Sequence, residues 1–82
     1  MKFYVYMLLT KSEKNITYVG YTNNVVKRVK LHNSGKGAKF TRGRKWKLIY
    51  KEVLLSKAQA ISRENYIKKN RKLRNYIKNH FK

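Results

Sequence analysis

Carboxylates are the scarcest reactive groups in this sequence of 82 residues, which contains only Glu13, Glu52 and Glu64. Glu64 stands in a predicted helix, three residues after Ile61 and three before Ile67, so it falls on an apolar face. A carboxylate in that position is costly unless a positive charge compensates it. Either a lysine or arginine forms an ion pair with Glu64, or Glu64 ligates a metal ion. A single glutamate with waters and a substrate phosphate is a common way to hold Mg²⁺.

Tyrosines form a second group of candidate reactive side chains. Tyr4-Val5-Tyr6 and Tyr18-Val19-Gly20 are separated by eleven residues and fall in two neighbouring predicted strands. Aromatic pairs across strands are ordinary packing. The same arrangement brings phenols together, and a phenol near a metal and several cations loses its proton more easily. Such a phenol is able to deprotonate a water that attacks a phosphodiester.

Arg28 and His32 stand four residues apart on the helix predicted after these strands, so they share one side of it. An arginine on a basic surface is ordinarily solvated, but its planar guanidinium also matches the geometry of a phosphate. His32 near a helix end is either a capping or packing residue or a group that binds phosphate or carries a proton. The residue types alone leave these alternatives open.

Positive charge dominates the composition, with 22 lysines and arginines against three acids and a formal net charge of +19. Such a chain repels itself, and a polyanion would relieve the repulsion, which favours nucleic acid as a partner. No long amphipathic helix with a large apolar face supports a membrane surface instead. The absence of cysteine excludes disulfides and thiolate zinc sites.

The longest apolar run, residues 3–9, is too short to span a bilayer, and no signal-peptide pattern surrounds it. We therefore expect a soluble protein without a membrane partner, located in the cytoplasm and associated with the nucleoid if it is bacterial. The length predicts a single domain over residues 1–82.

The pattern of apolar residues and turn signals predicts an α+β domain with the order ββαβαα. The predicted strands cover residues 2–10, 16–21 and 45–54, and the helices cover 23–32, about 57–69 and 71–80. The first strand is apolar on both faces, which predicts a central position, and the short link after it favours an antiparallel hairpin. Gly20 within the second strand indicates a close backbone approach or a bulge.

Helix ends and buried faces can also be predicted. Thr22 is the expected N-cap of the first helix, and Ser56 begins an S-x-x-Q capping box for the second. Residues 35–44 are expected to form an ordered but mobile connection with one helical turn near Ala38. The expected inward-facing residues are Val25, Val26 and Val29 in the first helix; Ala60, Ile61, Glu64 and Ile67 in the second; and Leu73, Tyr76, Ile77 and Phe81 in the third.

Taken together, the candidate residues resemble the motifs of the GIY-YIG nuclease family. Tyr4-Val5-Tyr6 stands where the family has Gly-Ile-Tyr, and Tyr18-Val19-Gly20 matches Tyr-Ile-Gly. Arg28 in VVKRVKLH and Glu64 in AISRENYIKK follow in the family's order on two later helices. The similarity covers essentially the whole chain. The segment HNSGKGAKFTRGRKWKLIY resembles small stand-alone members, which are related to the catalytic subunits of endonucleases that cut branched DNA.

The resemblance implies a small three-stranded antiparallel sheet flanked by helices and a metal-dependent endonuclease that hydrolyses DNA phosphodiester bonds, acting in DNA repair or recombination. Glu64 would hold one Mg²⁺ or Mn²⁺, and Tyr6 or Tyr18 would activate or position the attacking water. Arg28 would neutralise charge on the phosphate. His32 matches a position where small members often have histidine, so it joins the expected catalytic residues.

The sequence leaves the substrate and two other functions open. Branched, damaged or plain DNA is the expected partner, and a partner protein would supply specificity in some members of the family. The alternatives are a basic module that binds nucleic acid without catalysis and a nuclease subunit that depends on a partner. The cations expected to contact nucleic acid are Lys27, Lys36, Lys39, Arg42 and Arg44.

Overall fold

The computed structural model describes residues 2–11 and 15–81, so Glu13 lies outside the described residues. The elements occur in the predicted order ββαβαα. They are β1 (Phe3–Thr10), β2 (Thr17–Thr22), α1 (Val25–Asn33), β3 (Trp46–Leu54), α2 (Lys57–Lys69) and α3 (Arg71–Phe81).

The three strands form one antiparallel sheet in the order β2-β1-β3, which confirms that β1 is the central strand and that β1 and β2 form a hairpin. In the β1–β2 register, Tyr6 lies opposite Gly20 and Leu8 lies opposite Tyr18. Tyr6 and Tyr18 are therefore diagonal neighbours on one face of the sheet. The pairing of β1 with β3 shifts between Met7 and Leu8.

Side chains alternate along β1, so each face of the sheet carries its own apolar cluster. On the face covered by α2 and α3, the buried residues include Val5, Met7, Leu9, Ala60, Ile67 and Ile77. On the opposite face, Tyr6, Leu8 and Trp46 are buried, and Val29 of α1 packs against them. The tyrosine of the first motif thus lies between the sheet and α1.

The start of α1 differs from the prediction. Its N-cap is Asn24, whose side chain accepts a hydrogen bond from the backbone N–H of Lys27 at 3.0 Å. Thr22 lies two residues earlier and instead accepts a hydrogen bond from the N–H of Asn24 at 3.2 Å. Because the helix begins at Val25, Val26 points away from the sheet and is 69% exposed, contrary to the predicted buried stripe.

The two later helices follow the prediction more closely. Ser56 caps α2 by accepting a hydrogen bond from the N–H of Gln59 at 3.1 Å. The Gln59 side chain reaches back to the N–H of Leu55, one residue before the cap. Ile61 and Tyr76 were expected to be buried but are 38% and 56% exposed.

The connection from α1 to β3 contains turns in place of the predicted helical turn near Ala38. The N–H of Thr41 donates to the carbonyl of Ala38 at 3.2 Å. The side chain of Asn33, the last residue of α1, pairs with the backbone of Trp46 as a strand would. Its Oδ1 accepts from the N–H of Trp46 at 2.6 Å, and its Nδ2 donates to the carbonyl of Trp46 at 3.1 Å. The two ends of the connection are thereby held together.

We predict that Asn33→Ala lowers the free energy of unfolding by about 1–3 kcal/mol, because the N–H and carbonyl of Trp46 would lose their partners in a half-buried position. Chemical denaturation of the variant and of Asn75→Ala measures the effect. Asn75 is exposed on α3, so its substitution provides a matched control. Equal stability of the two variants would contradict this role for Asn33.

Candidate active site

A cleft of about 510 Å³ opens where the β1–β2 hairpin meets the first turns of α1 and α2. Its walls contain four of the five predicted catalytic residues: Tyr6, Tyr18, Arg28 and Glu64. The remaining lining residues are Phe3, Gly20, Tyr21, Thr22, Asn23 and Lys57. The fifth predicted residue, His32, is completely buried behind Tyr6.

Gly20 is required by the close approach of the two tyrosines. A Cβ atom at Gly20 would lie 2.6 Å from the hydroxyl oxygen of Tyr6 and 3.1 Å from a ring carbon of Tyr18. The first of these distances is far inside van der Waals contact. The prediction of a close backbone approach at Gly20 is thus confirmed, and the glycine lets the Tyr6 phenol reach the cleft.

Tyr6 is joined to α1 by a buried hydrogen bond, with 2.7 Å between its hydroxyl oxygen and Nε2 of His32. The other ring nitrogen, Nδ1, lies 2.9 Å from the hydroxyl of Thr41. That hydroxyl donates its own proton to the carbonyl of Ala38 at 3.0 Å. Thr41 therefore accepts from Nδ1–H. Burial favours the neutral form of His32, and in that form the lone pair of Nε2 accepts from the Tyr6 hydroxyl.

The pKa values agree with this assignment. The pKa of Tyr6 is raised to about 12, chiefly by burial; the charges of Tyr18 and Glu64 also act to raise it, and Arg28 acts to lower it. Burial also lowers the pKa of His32 below its ordinary value, and the positive charge of Arg28 adds to this effect. At neutral pH the pair consists of a protonated phenol and an unprotonated imidazole.

Arg28 is held by the connection that follows its own helix. Its Nη2 donates to the carbonyl of Gly37 at 3.1 Å, and the side chain is half-buried at the cleft wall. The rest of the guanidinium fork faces a cleft wide enough for a phosphate group. Arg28 is thus oriented before any substrate arrives, which lowers the entropic cost of binding an anion.

Tyr18 occupies a different environment from Tyr6. Its ring lies 6.4 Å from the ring of Tyr6 and 5.0 Å from that of His32, measured between centroids. On its other side it stacks on Phe40 at 6.2 Å and meets Trp46 edge-on. Tyr6 has the buried hydrogen bond to a histidine, whereas Tyr18 is half-buried within an aromatic cluster.

The sequence profile of the GIY-YIG catalytic domain matches residues 2–78. This chain belongs to the GIY-YIG family. A UPF0213 protein from Clostridium perfringens is 55% identical over 67 residues, which cover 80% of this chain and 70% of that protein. One from Staphylococcus haemolyticus is 47% identical over 68 residues, covering 82% and 80%. The resemblance noted in the sequence is confirmed.

A solved structure gives the same result for the fold. The solution NMR structure of a UPF0213 protein from Bacillus halodurans is 39% identical and matches with a TM-score of 0.56, covering 94% of this chain and 82% of that one. The three-stranded antiparallel sheet with helices in the order ββαβαα is thus a known GIY-YIG arrangement. Within the described residues, no helix is long and apolar enough to cross a membrane.

GIY-YIG nucleases generally use a divalent metal, and Glu64 is the only carboxylate among the described residues that line the cleft. Across residues 2–11 and 15–81, no three His, Cys, Asp or Glu side chains are grouped to hold a metal. The Glu64 carboxylate is 14% exposed and forms an ion pair with Nζ of Lys68 at 3.4 Å. This donor set fits an oxygen-preferring cation such as Mg²⁺, with waters and substrate phosphate completing its shell. Of the two sequence interpretations of Glu64, the ion pair is present, and the metal-holding role stays a prediction.

The predicted nucleic-acid contacts are all exposed. Lys27 lies on α1, and the others belong to the connection between α1 and β3, namely Lys36, Lys39, Arg42 and Arg44. Arg44 donates to the carbonyl of Phe40 at 2.9 Å and lies over its ring. Neither contact requires Arg44 to leave the surface, so it remains available to a polyanion.

Sequence reasoning missed four residues that shape this site. Lys57 and Asn23 line the cleft, at the start of α2 and just before α1. Thr41 fixes the tautomer of His32, and a Cβ at Gly37 would lie 2.4 Å from Nδ1 of His32. The sequence shows that residues 35–44 are rich in glycine, but it does not show that Gly37 packs against His32.

We predict that Thr41→Val converts His32 to a mixture of tautomers, because Nδ1–H loses its acceptor while the similar shape of valine keeps the packing. Nitrogen-15 NMR shifts of the imidazole ring report which nitrogen carries the proton. Thr41→Ser retains the hydroxyl and serves as the matched control, for which we expect the tautomer of the unmodified chain. An unchanged His32 spectrum in Thr41→Val would contradict the assigned network.

Proposed function

We propose that this chain is a divalent-metal-dependent endonuclease that hydrolyses DNA phosphodiester bonds, with a role in DNA repair or recombination. The observation that carries the proposal is the 2.7 Å hydrogen bond between Tyr6 and the neutral His32, at the wall of a cleft that also contains Arg28 and Glu64. A nucleic-acid-binding surface alone requires positive charge, but it does not require a buried phenol with a proton acceptor behind it.

Tyr6 is the better candidate for the group that activates water, and the hydrogen-bond direction suggests how. A water in the cleft donates to the Tyr6 oxygen, and the Tyr6 proton already points at Nε2 of His32. As the water oxygen attacks phosphorus, its proton passes to Tyr6 and the Tyr6 proton passes to His32. Hydroxide has then been delivered, the phenol is neutral again, and His32 carries the positive charge.

This route avoids a free phenolate, which a pKa of about 12 makes rare at neutral pH. The lowered pKa of His32 limits how strongly it attracts the proton, but it also keeps the imidazole unprotonated and ready. When the proton arrives, negative charge is developing on the phosphate nearby, which compensates the new positive charge. The resting state and the reacting state thus place different demands on one histidine.

The other residues bind and neutralise the phosphate. The carbonyl of Gly37 already holds one end of the Arg28 guanidinium. The remaining N–H groups of Arg28 would donate to a non-bridging phosphate oxygen. Lys57 would contribute a further positive charge from the opposite wall. Glu64 would hold the Mg²⁺ or Mn²⁺, which supplies charge stabilisation at the phosphate and at the leaving oxygen. The ion pair with Lys68 must open for this to occur.

We predict that Tyr6→Phe lowers the rate of DNA cleavage by about 10²–10⁴-fold, because the proton path from water to His32 is removed. Linear, nicked, flapped and four-way labelled DNA would be incubated with Mg²⁺ or Mn²⁺ at matched DNA occupancy. Glu64→Gln should abolish cutting while DNA binding persists. Tyr76→Phe removes an exposed hydroxyl on α3, outside the cleft, and should cut like the unmodified chain.

The outcomes of this assay separate the candidate functions. Cleavage that survives in Glu64→Gln would refute the metal-holding role of that residue. Equal rates for Tyr6→Phe and Tyr76→Phe would refute the proton path. If no variant cuts any DNA while all bind it in a salt-sensitive manner, the protein is a binding module or a subunit that needs a partner.

We also predict that cleavage slows in acid with a midpoint below the ordinary histidine pKa of about 6.5. Protonated His32 cannot accept from Tyr6, and burial has lowered its pKa, so the loss begins only as pH falls through that lowered value. The rate of a single turnover measured from pH 5 to 8 provides the test. His80 lies on α3 outside the cleft, and His80→Gln should leave the profile unchanged.

The same shift has a consequence for folding that is measured independently. The unfolded chain takes up a proton at the ordinary histidine pKa, whereas the folded chain does so only at lower pH. The contribution of His32 to stability is therefore complete above about pH 6.5 and declines as pH falls below it. The free energy of unfolding measured at a series of pH values provides the test. A free energy that rises towards acid, or a profile that His80→Gln shifts, would contradict the assignment of this decline to His32.

A further inference from the structure

A second hollow of about 300 Å³ adjoins the cleft at Tyr18. It is lined by Thr17, Tyr18 and Val19 from the edge strand β2, and by Lys68 and Arg74 from α2 and α3. Tyr18 lines both spaces, so they are immediate neighbours. Of the described residues, those that line the hollow include no carboxylate and two basic side chains, Lys68 and Arg74.

Arg74 prepares the hollow for an anion. Its Nη1 donates to the carbonyl of Ile67 at 3.2 Å and to that of Lys68, the last carbonyls of α2. These carbonyls form the negative end of the helix dipole, which would otherwise repel an anion at this place. The guanidinium keeps further N–H donors on Nη2 and Nε for a phosphate.

Lys68 connects the hollow to the proposed metal-holding residue. Its ammonium lies 3.4 Å from the carboxylate of Glu64, yet its side chain is 47% exposed and lines the hollow. The Lys68 side chain is long and flexible, and its exposed half can turn towards a second partner. If Glu64 held a metal, Lys68 would be free to turn towards the hollow.

We propose that this hollow is a second phosphate subsite, which binds the backbone phosphate next to the one in the cleft. Lys68 and Arg74 would contact the phosphate oxygens, and the Thr17 hydroxyl would provide an additional donor. Tyr18, which lines both spaces, would lie between the two phosphates. This inference rests on the proposed function for the direction of the strand, but binding at the hollow is testable without cleavage.

The test uses the Glu64→Gln background, which prevents metal-dependent cutting and removes the ion pair to Lys68 beforehand. Affinity for a short labelled DNA duplex is measured without metal at several salt concentrations, with Lys68→Gln or Lys69→Gln added. Lys69 is also exposed, is adjacent in sequence and lines neither space, so it removes the same charge elsewhere. We expect Lys68→Gln to weaken binding several-fold more than Lys69→Gln.

The salt dependence and NMR provide independent readouts. Loss of one phosphate contact should reduce the slope of log affinity against log salt by about 0.7–0.9. The amide signals of Thr17 and Val19 should shift when DNA is added, and shift less when Lys68 is also replaced. A phosphate held by Arg74 should likewise bind less tightly after Arg74→Lys, which keeps the charge but loses the planar fork.

Each outcome decides between alternatives. Equal losses for Lys68→Gln and Lys69→Gln would overturn the subsite and leave only general electrostatic attraction. An effect of Lys68→Gln that exists in the unmodified chain but vanishes with Glu64→Gln would also overturn it, since Lys68 would then act through Glu64. A specific effect in a protein that cuts no DNA would support the subsite in a binding module or in a nuclease subunit that needs a partner.

Discussion

The buried hydroxyl of Tyr6 is the constraint on which the arrangement of this molecule depends. The side chain is 1% exposed, and a buried hydroxyl without a partner is destabilising by about 1–3 kcal/mol. Its partner, His32, is itself completely buried and has two ring nitrogens to satisfy. The second ring nitrogen of His32 needs a partner in turn, which is the Thr41 hydroxyl, and that hydroxyl donates to the carbonyl of Ala38. A central strand, a helix and a connecting segment are tied together by this one series of hydrogen bonds.

The same series requires space that ordinary side chains would fill. Two of the four glycines in the chain lie directly against it: Gly20 against the Tyr6 phenol and Gly37 against the His32 ring. Neither needs its freedom of backbone torsion, because positive φ angles occur at Gly35 and Gly43 instead. Gly20 and Gly37 are needed because they lack a Cβ atom. The motif glycine of β2 therefore leaves room for the side chain of Tyr6.

Local signals were enough to predict the elements, and tertiary contacts explain what the sequence could not reveal. The apolar residues on both faces of β1 predicted its central position, and Ser56 predicted the start of α2. The N-cap of α1 was predicted wrongly because Thr22 and Asn24 are both common capping residues. The Thr22 hydroxyl instead accepts a hydrogen bond from the N–H of Asn24. Helical periodicity placed Val26 inward, but α1 has only one covered side, towards the sheet.

The candidate site shows the same division. The family motifs led to Tyr6, Tyr18, Arg28 and Glu64, and the structure brings these four residues to one cleft. No periodicity relates Thr41 to His32, because the connection between them follows turns and not a regular helix. Lys57 enters the cleft only because α2 crosses the edge of the sheet near its first turn. Such neighbours become visible only once the elements have packed.

The central position of β1 has a consequence for how the site would lose its order. Amides of a strand paired on both sides exchange with solvent mainly through global unfolding, whereas peripheral helices open locally at lower cost. Tyr6 belongs to the first class, while Glu64 and Arg28 lie on helices that pack against the sheet from one side. On gentle heating, the Glu64 carboxylate on α2 would separate from the cleft first, while the phenol and α1, which His32 ties to it, remained in place. The site would then lose its geometry before the sheet melts.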